Sequence, residues 1–122
     1  MPCEIVENVG CLVVVKITGK LSKPEIDALQ RGAIDVIRRE GRARVLILGE
    51  NFEGWEEKGN WGDLSFMMKY DAKIERIAMV GEKKWEDLAI AFMGKGMRSA
   101  QVEYFLPRQL GVARAWVTSV DQ

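Results

Sequence analysis

The stretch ENFEGWEEKGNW, residues 50–61, sets four carboxylates (Glu50, Glu53, Glu56, Glu57) and two tryptophans (Trp55, Trp61) within twelve residues. Two carboxylates at a fixed separation can share acid and base work when burial drives their pKa values apart. Nothing in the spacing of Glu53, Glu56 and Glu57 fixes such a geometry. The alternating D-x-D-x-D-G pattern of a calcium loop is also missing. These carboxylates therefore read as a solvated outer face. The chain has no histidine, which removes the commonest general base, the usual catalytic triads and most zinc sites. The expectation is a non-enzymatic protein with no catalytic residue, no metal and no cofactor. A carboxylate mechanism is what remains of the enzymatic alternative.

The tryptophans carry more information. Trp55 falls just past the apolar run RVLIL (44–48), in a glycine-flanked loop at a strand's carboxyl end, where open α/β sheets place ligands. Trp61, Leu64, Met67 and Met68 fall on one broad side of a helix expected over 61–70, and large aromatics with flexible methionines suit an adaptable apolar pocket. Trp85, Leu88, Ala89, Phe92 and Met93 follow the i, i+3, i+4, i+7, i+8 spacing of a single apolar stripe. Trp55, Trp61, Leu64, Met68, Trp85, Leu88 and Phe92 are thus the candidate ligand-binding residues. The bland alternative is core packing, with Trp61 as a lid on the sheet edge. Lys83 and Lys84 precede the stripe, and Lys95 and Arg98 follow it. Basic flanks around an aromatic amphipathic helix are what an interfacial membrane contact needs, so Lys84, Phe92, Met93, Lys95 and Arg98 are the candidate membrane-contacting residues. Against this stands an ordinary core-facing helix whose carboxyl-end cations suit its dipole. Gly81, Gly94 and Gly96 offer hinges for the helix to swing on.

The elements that must position these residues follow from periodicity. CEIVE (3–7) and LVVVKI (12–17) read as two strands joined near Asn8-Val9-Gly10. The second is apolar on both faces, as in a strand covered on each side. Facing pairs in this hairpin would set Cys3 opposite Val14 or Val15 rather than Cys11, so both cysteines read as free thiols of a reducing compartment. Ser22 with Glu25 three residues on forms a capping box with Pro24 in the first turn, and Gly41 closes that helix. Strands at 44–48, 74–80 and 100–106 then alternate with helices at 61–70, 83–93 and 107–117. The order β-β-α-β-α-β-α-β-α implies an α/β fold with a mixed, mostly parallel five-stranded sheet. The 122 residues are the size of one domain, taken as 1–122.

Eighteen basic residues balance eighteen acidic ones, leaving no global field for a polyanion, and no aromatic-basic motif points to nucleic acid. No signal peptide opens the chain, and the apolar runs are too short to span a bilayer. A cytoplasmic protein is expected.

Residue strings and element order together resemble a known family. GKL (19–21), ENFEGW (50–55), WGDLSF (61–66) and ERIAMVGEKKWEDL (75–88) look like the small bacterial SpoIIAA-like proteins, within the wider STAS group of sulfate transporters and anti-sigma-factor antagonists. The resemblance runs from about Val13 to Trp116, and its most specific pieces are F-x-G-W and R-I-A-x-V-G-x-x-x-W. It implies the same mixed sheet. It also implies two functional precedents: a phosphorylated serine after the third strand, or an apolar pocket with membrane association, as in the similarly folded CRAL-TRIO lipid carriers. Residues 50–62 contain no serine or threonine. Ser65 lies inside the expected helix, away from free amides and among carboxylates, which argues against the phospho-switch. The expected function is therefore binding of an apolar small molecule or lipid, with peripheral contact to the inner face of the membrane through the helix at 83–93. The alternative is a protein-interaction module related to the anti-sigma antagonists but lacking the phosphoacceptor. A homodimer is compatible with either, since edge strands and exposed aromatics provide surface.

Overall fold

The computed structural model describes residues 3–55, 71–93 and 100–119. Strand β1 (Cys3–Val9) turns through Gly10 and Cys11 into β2 (Leu12–Leu21), and helix α1 (Lys23–Glu40) leads to β3 (Ala43–Trp55). A 3-10 turn (Asp71–Lys73) then enters β4 (Ile74–Val80), a second (Lys83–Trp85) enters α2 (Glu86–Met93), and β5 (Gln101–Phe105) follows. A last 3-10 turn (Pro107–Gln109) opens α3 (Leu110–Thr118). The helix expected over 61–70 lies outside the described residues.

The strands form one sheet in the order β1-β2-β3-β4-β5. β1 is antiparallel to β2, and the other neighbours are parallel. This is the mixed α/β sheet that the alternation implies. Crossovers of one hand between sequential parallel strands place their helices on one face. Accordingly Val36 and Ile37 of α1 and Ala89 of α2 pack with Val13, Val15, Ile17, Ile77 and Met79. The other face carries Leu12, Val14, Leu46, Ala78 and Val80, and packs against Ala113 and Val117 of α3. β2 is therefore buried on both sides, as its unbroken apolar run requires.

The ends of α1 follow local chemistry. Ser22 donates from its backbone N–H and its hydroxyl to Glu25 Oε1, at 3.1 and 2.5 Å. Gly41 adopts φ 82° and donates to the carbonyl of Ile37 at 2.7 Å, a left-handed stop that glycine adopts without a Cβ penalty.

Two departures from the sequence reading bear on the site. Cys3 pairs with Ile17 rather than Val14 or Val15, because the turn is only Gly10-Cys11 and a bulge intervenes between Ile5 and Glu7. The thiols are still out of register. Second, β3 does not stop at Gly49 but runs on to Trp55, which pairs with Leu21. Ile17 faces Gly49 while Gly19 faces Phe52, so β3 carries one extra residue there, and Asn51 takes φ 51°. The polar residues that look like a loop are a bulged strand.

Candidate functional site

The carboxyl end of β3 and the start of α2 meet as the sequence implies, but they meet closely. Phe52 is buried, and the Trp85 ring stands edge-on to it, with centroids 5.4 Å apart. Gly54, at φ 100°, lies beneath the same indole: a Cβ there would sit 3.1 Å from Cη2 and 3.2 Å from Cζ3. Trp85 thus sits directly over the backbone of Gly54. Lys84 is exposed, with its ammonium 5.6 Å from the Trp85 ring, and Lys83 pairs with Glu86 at 3.1 Å. Leu88 is 57% exposed while Ala89 is fully buried. Trp85 and Ala89, four residues apart, share the core-facing side, and Leu88 falls beyond the edge of that narrow stripe.

Trp55 ends β3 and Phe92 and Met93 end α2, their side chains lying outside the described residues. Trp61, Leu64, Met68, Lys95 and Arg98 also lie outside them. The structure therefore brings Trp85 and Lys84 together at this end, beside the backbone of Trp55, and sets Leu88 on the outer side. Gly81, expected as a hinge, is held: it donates to the Phe105 carbonyl at 3.0 Å, and a Cβ would come within 2.5 Å of the Tyr104 hydroxyl. That hydroxyl donates to the Glu82 carbonyl at 2.7 Å. Burial, then the negative charges of Glu86 and Glu82, push its pKa up to about 12.

The opposite end, at the amino ends of the parallel strands, holds a cluster that the sequence reading missed. Arg44 and Arg76 are neighbours on β3 and β4, and both are buried. Arg44 donates from Nη1 to the carbonyls of Val117 (3.0 Å) and Ser119, and from Nε to Glu75 at 2.8 Å. Arg76 donates to the Trp116 carbonyl at 2.5 Å and to the Ser119 hydroxyl, with its guanidinium 5.2 Å from the Trp116 ring centre. A helix leaves its last carbonyls without intrahelical partners and carries partial negative charge there, and two buried cations meet both needs for α3. The signal was available: an arginine sits near the start of each strand, second in β3 and third in β4, and the two face each other in register.

Glu75 completes the cluster. Its hydrogen bond from Arg44 holds its pKa below the usual carboxylate value; partial burial opposes this, and the charges of Arg42 and Arg44 add to it. The folded chain thus keeps Glu75 ionised to lower pH than the unfolded chain does. Its stabilisation is complete above the ordinary carboxylate value and is lost as pH falls below it, through the lowered value of the folded chain. Urea unfolding from about pH 7 down to about pH 3 should show a steeper acid loss in the native chain than in Glu75→Gln. Equal slopes would mean that the pairing does not matter to stability.

The fold and this wiring define a three-layer α/β domain with a mixed sheet and a carboxyl-terminal helix on its second face. Residues 12–118 match the SpoIIAA-like family, and the chain belongs to it. Among solved structures it is similar to an uncharacterised protein of the DUF3478 family with a SpoIIAA-like fold from Shewanella loihica. That match is 17% identical, covers 94% of this chain and 93% of the other, and has a TM-score of 0.65. At that identity the likeness speaks to the fold. No curated protein sequence matches the chain significantly.

Proposed function

We propose that this member of the SpoIIAA-like family is a non-enzymatic binding domain that engages an apolar small molecule or lipid, and through it an anionic membrane surface. The contact is made with the end formed by β3 and α2. The observation that carries this reading is Leu88, kept 57% exposed on a helix whose next residue is fully buried, beside the exposed Lys84. Leu88 is already partly covered, so contact with acyl chains would return about half of the roughly 1.5–3 kcal/mol of a full leucine burial. A lysine near an anionic surface contributes about 1 kcal/mol. Asp87, also exposed, opposes part of this attraction, so leucine burial is the dominant contribution. Such a protein works in the cytoplasm and meets the inner face of the membrane. Among the described residues no helix is long and apolar enough to cross a membrane, and the proposed contact needs none.

Flotation with vesicles of phosphatidylcholine and phosphatidylserine tests the proposal. The chain should float with the anionic vesicles, Lys84→Gln should lower partitioning about fivefold, and Leu88→Asp should lower it about tenfold or more. No flotation of the native chain would overturn it. A second reading, a protein-interaction module, draws on Leu110 and Val112, 43% and 59% exposed on the outer side of α3. A dimer in sedimentation that Val112→Asp dissolves, without any vesicle binding, would put that reading in place of the first.

A further inference from the structure

We propose that the cleft between the β1–β2 turn and the carboxyl end of α3 binds a small oxyanion, a phosphate or carboxylate group carried on a compact ligand. The cleft has a volume of about 470 Å³ and is lined by Arg42, Arg44 and Arg114, with Val9 and Leu12 as an apolar wall. That volume falls within the roughly 300–1,000 Å³ of small-molecule sites. It lies at the amino ends of the parallel strands, away from Trp85 and Leu88, and so stands independently of the membrane proposal.

The donors decide the ligand's chemistry. A guanidinium offers five N–H groups in a planar fork that matches an oxyanion. Arg44, 6% exposed, uses Nε on Glu75 and Nη1 on two carbonyls, and no described residue accepts from its Nη2. Among the described residues, Arg42 gives only Nη1 to Glu75, and Arg114 only Nη2 to Glu7. The side chains of both are about half exposed. Three guanidiniums against the carboxylates of Glu7 and Glu75 leave one net positive charge on the lining. The hydroxyls of Thr118 and Ser119 already donate to the carbonyls of Arg114 and Trp116, so recognition falls to the arginines. A helix carboxyl end would ordinarily repel an anion. Here Arg44 and Arg76 take up the carbonyls of Trp116, Val117 and Ser119, and the cleft meets guanidinium instead.

Titration of the isotope-labelled full chain with inorganic phosphate, acetate and chloride at matched ionic strength, followed by amide NMR, tests the site. Phosphate or acetate should produce saturable shifts at Cys11, Leu12, Thr118 and Ser119, and the stronger of the two identifies the headgroup. Arg42→Gln and Arg114→Gln should each weaken binding about tenfold, the scale of one lost charge-assisted hydrogen bond. Arg42→Lys, which keeps the charge but not the fork, should lose less. The amide spectrum reports the fold of every variant. Shifts that do not saturate, that chloride reproduces, or that survive in the doubly substituted chain would overturn the proposal.

Discussion

Replacing Arg44 with alanine should destabilise the protein by about 3–5 kcal/mol, the range for removing one partner of a buried charge network. The residue is 6% exposed, and loss of its guanidinium strands the carbonyls of Val117 and Ser119 together with one bond to Glu75. Those carbonyls end the helix that packs on the second face of the sheet, so the damage reaches beyond the site of substitution. Arg42 also reaches Glu75, at 3.0 Å, but its side chain is 53% exposed. Arg42→Ala should therefore cost no more than about 1 kcal/mol. Denaturant unfolding of a double-mutant cycle over Arg44 and Glu75 separates the terms. Arg44→Met with Glu75→Met should cost less than the sum of the single changes, since neither charge is then left alone. An Arg44→Ala chain as stable as the native one would show that water replaces the clamp without loss.

Gly54→Ala should cost about 2–4 kcal/mol, from two sources that add. At φ 100° an L-residue is strained by about 1–3 kcal/mol. The new methyl would also press on the Trp85 ring at 3.1 and 3.2 Å, tighter than rings and methyls tolerate, and that ring is already set edge-on to Phe52. Near-UV circular dichroism should change along with the drop in unfolding free energy, because the indole must shift to make room. Gly10→Ala provides the comparison: φ is 59° there, but nothing lies within 4 Å of the added carbon, so only the backbone cost applies. If the two substitutions cost the same, the indole is not pressed and the space above Gly54 is open.

Much of the architecture was legible because local and global signals agreed. The unbroken apolar run of β2, the reciprocal pairing of Ser22 with Glu25, and the left-handed Gly41 each have a short-range cause that a sequence displays. The continuation of β3 was not legible. Glu50, Asn51 and Glu53 are exposed and polar, and pairing with β2 sustains the strand where propensity would end it. Leu88 lies outward of the expected stripe: Trp85 and Ala89 share the core-facing side, which is narrower than the i, i+3, i+4 pattern implies. Arg44 and Arg76 escaped because a single charged residue at or near the start of an apolar strand reads as solvent-facing. Only the register between β3 and β4, set across thirty-two positions of chain, shows them side by side. Of the residues singled out around the tryptophans, Trp85 and Lys84 are adjacent as expected from their sequence, while the partners contributed by 61–68 lie outside the described residues.

The extra residue at Asn51 also sets the phase of everything after it. Side chains of a strand alternate between faces, and Ile47 and Gly49 point toward the α1 and α2 layer. Strict alternation would send Asn51 there and turn Phe52 to the other side. The bulge advances the chain by one step, so Phe52 and Gly54 arrive beneath Trp85 and the carboxylates of Glu50 and Glu53 remain in water. Deleting one residue at this point would act on the sheet as a frameshift acts on a reading frame: composition would hardly change, but Phe52 would be delivered to the wrong face.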